Sequence, residues 1–162
     1  MLEIRNHRAV GALAVVVVAM AGCAVPEKSD EPVSPDTTCV PATQADPLVG
    51  NWLSTHRQAG VAGELKTFIQ LRADGTMNYA EQLTRPGKAP QGLTESGCWR
   101  REQGTLVLRT LESNGSPVDL EDPIYVNRYA VLKESGERVS LNSPEGQRLD
   151  ARRMPPDYRI SW

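Results

Sequence analysis

At 162 residues the chain is long enough for one domain with a sizeable core and too short for two ordinary ones. Its 18 lysines and arginines against 20 aspartates and glutamates give a net charge of −2, with no basic run to follow a phosphate backbone, which excludes a nucleic-acid partner. Three cysteines and two histidines leave little material for a metal centre, so no metal or other cofactor is expected.

Residues 1–22 read as an export signal. Arg5, His7 and Arg8 precede an apolar run from Ala9 to Ala21, which is shorter than the ~20 residues a membrane-spanning helix needs. Removing this segment takes two arginines and one glutamate from the totals and leaves an exported part of net charge −3. The run ends in Met20-Ala21-Gly22-Cys23, which resembles the lipobox of bacterial lipoproteins, with Met20 where that family most often has Leu. The resemblance implies cleavage before Cys23 and acyl chains, palmitate among them, attached to that cysteine. Each buried CH₂ adds about 0.8 kcal/mol to membrane binding, so several chains anchor stably. Ala24, where Asp signals inner-membrane retention, implies a cell-envelope location on the outer membrane facing the periplasm in a Gram-negative host.

Residues 23–46, the lipidated cysteine and a stretch rich in Pro, Ser, Thr and acids, have no apolar period and read as a disordered tether. With Cys23 modified, Cys39 and Cys98 remain, and in an oxidising compartment they are expected to pair. The rival metal reading needs further ligands, and the only exported histidine is His56.

From residue 47 to 154 the sequence reads as strands with turns at short intervals. After an opening strand near Trp52, Glu64 to Arg72 alternates Leu65, Thr67, Ile69 and Leu71 against Lys66, Phe68, Gln70 and Arg72, the period of two of a half-buried strand. Asp74-Gly75 then reverses the chain into Thr76 to Thr84, with Met77 and Tyr79 on one face. Ser96 to Glu102 and Thr105 to Leu111 flank Gln103-Gly104, with Leu106 and Leu108 facing one way. Ile124 to Lys133, with Tyr129 and Val131, and Arg138 to Asn142 flank Ser135-Gly136, and a last run covers Gln147 to Arg153. A short helix fits only Ser54 to Ala62 or Ser116 to Asp122. About eight short antiparallel strands hide their edges by closing into an up-and-down β-barrel, with a two-sheet sandwich as the rival.

Gly50-Asn51-Trp52 at the first strand, Phe68-Ile69-Gln70-Leu71, Asp74-Gly75-Thr76, Gly97-Cys98-Trp99 and Gly104-Thr105-Leu106-Val107-Leu108 occur in an order similar to that of lipocalin-like lipoproteins. The resemblance implies a lipocalin-like barrel in which Gly50 allows close approach, Trp52 plugs one end, and Arg152 or Arg153 packs on the indole, with Arg152 taken as the barrel-closing residue. No counterpart of the family's later Thr-Asp motif is found. The implied function is binding, with no enzymatic activity. The ligand would be a small hydrophobic or amphipathic molecule, and Leu65, Ile69, Leu71, Met77, Tyr79, Leu106, Leu108, Tyr129 and Val131 serve equally as pocket lining or as core.

Catalysis finds no support. His56 lies in a polar stretch near Ser54 without a Gly-X-Ser-X-Gly elbow, and Asn114, Ser116, Asp119, Glu121 and Asp122 lack the spacing of a calcium loop. A periplasmic protein partner is the second reading. Glu95-Ser96-Gly97-Cys98-Trp99 resembles the cleft-entering loop of membrane-bound lysozyme inhibitors, so an exposed loop at Ser96 to Trp99 or Arg85 to Leu93 would inhibit a cell-wall hydrolase. The third reading is a structural envelope protein that docks by its tail, residues 155–162, where Tyr158, Ile160 and Trp162 alternate with polar residues. The bland alternative is that this tail packs on its own barrel.

Overall fold

In the computed structural model, which describes residues 37–43, 45–58 and 60–161, nine strands follow one another in antiparallel pairing. They are β1 (Gly50–His56), β2 (Glu64–Leu71), β3 (Thr76–Thr84), β4 (Gln91–Glu102), β5 (Thr105–Ser113), β6 (Ser116–Pro117), β7 (Val126–Glu134), β8 (Arg138–Asn142) and β9 (Arg148–Met154). The order is β4-β3-β2-β1-β9-β8-β7-β5, and β4 also pairs with β5, so eight strands close a barrel while the two-residue β6 hangs on the end of β5. The sandwich alternative is thereby set aside. The opening strand forms around Trp52, and six of the other seven barrel strands stand within two residues of their expected limits. The exception is β4, which begins at Gln91, five residues before the expected Ser96. Among the described residues no helix forms in 54–62, and the one helical turn is the 3₁₀ segment Pro123–Tyr125, capped by the Asp122 carboxylate on Ile124 N.

Alternation along each strand sends one set of side chains inward. Trp52, Ile69, Leu71, Met77, Trp99, Leu106, Leu108, Tyr129, Val139, Leu141, Leu149 and Ala151 belong to one buried cluster, to which every barrel strand contributes. One end of this core is shut. Trp52 and Trp99 are both 2% exposed, and each buried indole is satisfied: Trp52 Nε1 donates to Leu48 O at 2.7 Å and Trp99 Nε1 to Arg72 O at 2.8 Å. Tight turns at residues 72–75, 103–104 and 135–137 connect the strands at this end.

The packing reaches back into the segment read as a tether. Cys39 is bonded to Cys98, Ala42 N donates to Ala73 O at 2.9 Å, and Ala42 and Leu48 join the core. Val40 lies over the β2–β3 turn so closely that a Cβ at Gly75 would collide with its carbonyl, and Gly75 also has φ +83°, so two independent demands fix glycine there. Among the described residues, the barrel draws its core, its plug and its disulfide from the stretch 39–161. Cys23 and the residues assigned to the signal peptide lie outside the described residues.

The arginine on the plug is Arg153, which corrects the expectation of Arg152. Arg153 Cζ lies 4.2 Å from the Trp52 ring centroid. Its Nη1 donates to Val49 O and its Nη2 to Pro47 O, both at 2.8 Å, and its Nε donates to Gly136 O. The reason is parity: Arg153 is opposite Trp52 in the β1–β9 register and shares its inward face, whereas Arg152 is opposite Leu53 and faces outward. Gly50, at φ +144°, leaves the space that Arg153 Nη1 fills.

The tail covers part of the outer wall. Leu53, Phe68 and Ala80 form a second buried cluster on the outside of β1–β3, against Met154, Tyr158 and Ile160, with the Phe68 and Tyr158 rings 5.4 Å apart. Asn51 Nδ2 donates to Pro155 O at 2.8 Å and Gln82 Nε2 to Ser161 O at 2.6 Å. Phe68, placed by alternation on the solvent side, is therefore only 6% exposed. The described part of the tail adds no strand, and its Tyr158 and Ile160 pack on its own barrel; Trp162 lies outside the described residues.

Two stability predictions follow from the closed end. Arg153→Ala is expected to lower unfolding free energy by about 2–3 kcal/mol through loss of the stacked cation and its carbonyl contacts, while Arg152→Ala stays within about 0.5 kcal/mol of wild type, as urea denaturation will show. The Cys39–Cys98 bridge spans 59 residues of sequence. In the chain-entropy model a loop of that size is worth roughly 4 kcal/mol, so the Cys39→Ser/Cys98→Ser variant is expected to lose about 2–4 kcal/mol in the same assay.

Candidate functional site at the open end of the barrel

The opposite end carries the longer connections, residues 57–63, 85–90, 114–125 and 143–147, and there the interior turns polar. Thr67 follows Leu65 on the inward face of β2, and Glu81 follows Tyr79 on β3. Their neighbours around the mouth are Asn127 and Tyr129 on β7, Ser143, Glu145 and Gln147 of the β8–β9 loop, and Leu149 on β9. These residues enclose a cavity of about 200 Å³.

The nine residues offered as pocket or core divide along the barrel axis. Ile69, Leu71, Met77, Leu106 and Leu108 are fully packed core, and Val131 lies half-buried against it. Leu65, Tyr79 and Tyr129 line the cavity. The apolar half of the barrel is therefore filled, and the free space sits among polar groups above it.

The polar groups interact closely. Tyr79 Oη donates to Glu81 Oε2 at 2.7 Å, and burial, reinforced by Tyr129 and Glu81, pushes its pKa far above the ordinary tyrosine value. Burial likewise pushes Tyr129 up to about 12, with Glu81 and Glu95 adding to the effect. Both phenols are neutral donors at physiological pH. On β4, burial raises the Glu95 carboxyl above its ordinary pKa; the Thr110 hydroxyl, donating at 3.1 Å, opposes this, and nearby Glu81 adds to it. At the rim His56 Nε2 lies 2.8 Å from Gln147 Nε2, so that ring nitrogen accepts, while the buried Nδ1 has no hydrogen-bond partner. Among the described residues no lysine or arginine lines the cavity. The site presents phenols, amides and carboxylates, suited to a hydrogen-bond donor or a cationic group.

Sequence reasoning placed Leu65, Thr67, Tyr79 and Tyr129 correctly on the inward face but did not count Glu81, Asn127, Ser143, Glu145, Gln147 or Leu149 among the lining. For Glu81, Asn127 and Leu149 the signal was present, since each continues the inward alternation of its strand. The loop residues carried none. His56 and Ser54 share the inward face of β1, and the structure gives them no nucleophile–base contact with each other. In the acidic loop, Asp119 accepts from Glu121 N and Asp122 from Ile124 N, as turn caps do.

The segment Ser96 to Trp99 proves to be interior to β4, with a bulge between Ser96 and Gly97, and Trp99 is part of the core. It is a paired strand and not an exposed loop, and its tryptophan is buried. Of the other proposed loop, Gln91 to Leu93 belong to β4, leaving residues 85–90.

No family model matches the chain, and no curated protein matches it. Among solved structures it is similar to a lipoprotein YedD from Klebsiella pneumoniae, at 13% identity and a TM-score of 0.45, over 78% of this chain and 83% of that one.

Burial of Glu95 yields a pH prediction. An acid whose pKa is higher in the folded than in the unfolded chain binds more protons when folded, so stability falls as pH rises above the ordinary carboxyl range. Glu95→Gln retains an acceptor for Thr110 and removes this loss. It is expected to raise the midpoint of urea denaturation at pH 7 and to leave it unchanged near pH ~4, where both forms are largely neutral.

Proposed function

We propose that the protein is a lipid-anchored cell-envelope component that works by binding and not by catalysis, taking the polar head of a small amphipathic molecule into the mouth of its barrel. The observation that carries this reading is the 200 Å³ cavity, in which two neutral tyrosines, Glu81, Glu145 and the four amide or hydroxyl side chains of Thr67, Asn127, Ser143 and Gln147 converge over an aliphatic rim of Leu65 and Leu149. Drug-sized ligands occupy about 300–1,000 Å³, so this space fits a headgroup and not a whole hydrophobic molecule. With the interior below filled by Ile69, Leu71 and Met77, the apolar part of the ligand would lie outside. The loops at this end expose Val61 and Ile124, at 37% and 70%, to meet it. Two carboxylates without a basic residue among the lining favour an amine-bearing head.

Anchoring rests on the export signal and on Cys23 at the end of Met20-Ala21-Gly22-Cys23, and the outer-membrane, periplasm-facing location on Ala24. The described chain joins the barrel at its closed end, through Cys39 and Leu48.

Native mass spectrometry of the chain from Ala24 to Trp162, purified from a bacterial periplasm, tests the binding claim. The expected spectrum shows a small adduct that leaves on unfolding and is depleted in Glu81→Gln/Glu145→Gln. A bare polypeptide in every preparation, or an adduct indifferent to that double substitution, contradicts it.

A further inference from the structure

On the outside of the barrel, β1, β9, β8 and the β7–β8 turn form a groove of about 750 Å³. Four basic side chains line it, Lys133, Arg138, Arg148 and Arg152, against two acids, Glu134 and Asp150. Both acids are already engaged. Asp150 accepts from Arg148 Nε at 3.0 Å and from the Ser140 hydroxyl at 2.5 Å, and Glu134 accepts from Arg101 Nη2 at 2.8 Å.

Arg138 and Arg152 are not engaged. The β8–β9 register sets them directly opposite one another on the outer face, both exposed, and neither guanidinium makes a hydrogen bond or ion pair among the described residues. Like charges in directly opposed positions of an antiparallel pair repel, since their Cβ atoms stand only about 5 Å apart. A fold with more acidic than basic residues has material to relieve such a pair, yet the nearest groove acids are committed to Arg148 and Arg101. Leu53, beside Arg152 in the β1–β9 register, bounds the groove with an apolar side chain, and its own outer surface is covered by the tail.

We infer that this groove binds the phosphate group of a phosphate ester, clamped between the facing guanidiniums of Arg138 and Arg152 with Lys133 as a further cation. A phosphate oxyanion fits where two guanidinium forks converge, because planar N–H pairs match its oxygens and its charge removes the repulsion between the arginines. The site lies on the outer wall, apart from the mouth, and each can fail without the other. The ester is either a soluble small molecule or a phospholipid headgroup, and both present the same group to the same two side chains.

The chain from Ala24 to Trp162 is titrated with glycerol 1-phosphate while its backbone amide resonances are followed. It is also sedimented with vesicles of phosphatidylglycerol and, separately, of phosphatidylcholine. Saturable shifts at Arg138 to Ser140 and Asp150 to Arg152 are expected, weakening with added salt and at least tenfold weaker in Arg138→Gln/Arg152→Gln. The exposed Lys88→Gln control should match wild type. Shifts with the soluble ester and no sedimentation identify a soluble ligand; retention on phosphatidylglycerol alone, lost in the double variant, identifies a headgroup. Both arginines are exposed, so the variant spectrum will show an intact fold. The inference is overturned if neither probe binds, or if the double variant binds either probe as wild type does.

Discussion

Every barrel strand of this protein is paired on both sides, and the two pairings that make this true are β4 with β5 and β1 with β9. An antiparallel sheet of short strands otherwise ends in two rows of unpaired backbone groups, open to association with other chains. Once the ring is closed, the side-chain parity of each strand is fixed, because a one-residue slip anywhere would turn its inward set outward. The core, the plug and the polar mouth are consequences of that parity read along eight strands. The Arg153–Trp52 contact shows how strictly it operates: two adjacent arginines have different fates because only one shares the indole's face.

The two ends of the barrel differ in their chemistry. At the closed end, tight turns, two satisfied indoles, a stacked guanidinium and a disulfide concentrate the interactions that hold the fold. At the open end the strands run into longer loops and the interior changes from aliphatic to hydroxyl, amide and carboxylate. Buried polar groups of this kind weaken a core unless each finds a partner; Glu95 is only partly compensated by Thr110, and the His56 Nδ1 has no partner.

Much of this was legible in the sequence, where period-two alternation and glycine-bearing turns set the strand limits and the closure. The pairing of Cys39 with Cys98 followed from the cysteine count. What stayed hidden depended on long-range neighbours. The choice between Arg152 and Arg153 required the β1–β9 register, which joins segments about 100 residues apart and leaves no local trace. Phe68 looked solvent-facing because nothing in its own strand announces that Tyr158 and Ile160 will cover it. Gly97-Cys98-Trp99 looked like a loop motif, yet its glycine serves a bulge against Arg109 and its tryptophan fills the core. The β8–β9 loop residues of the mouth have no periodicity to read.

Closure of the ring is the claim on which the rest stands, and native-state hydrogen exchange tests it most directly. If β1 and β9 complete the barrel, the hydrogen-bonded amides within 51–54 and 151–154 will exchange only through global unfolding, at the same free energy as those in the centres of β2 and β3. Exchange of the β1–β9 amides at a markedly lower free energy, while β2 and β3 remain protected, would mean an open sheet and would contradict the plug, the mouth and the sites built on them.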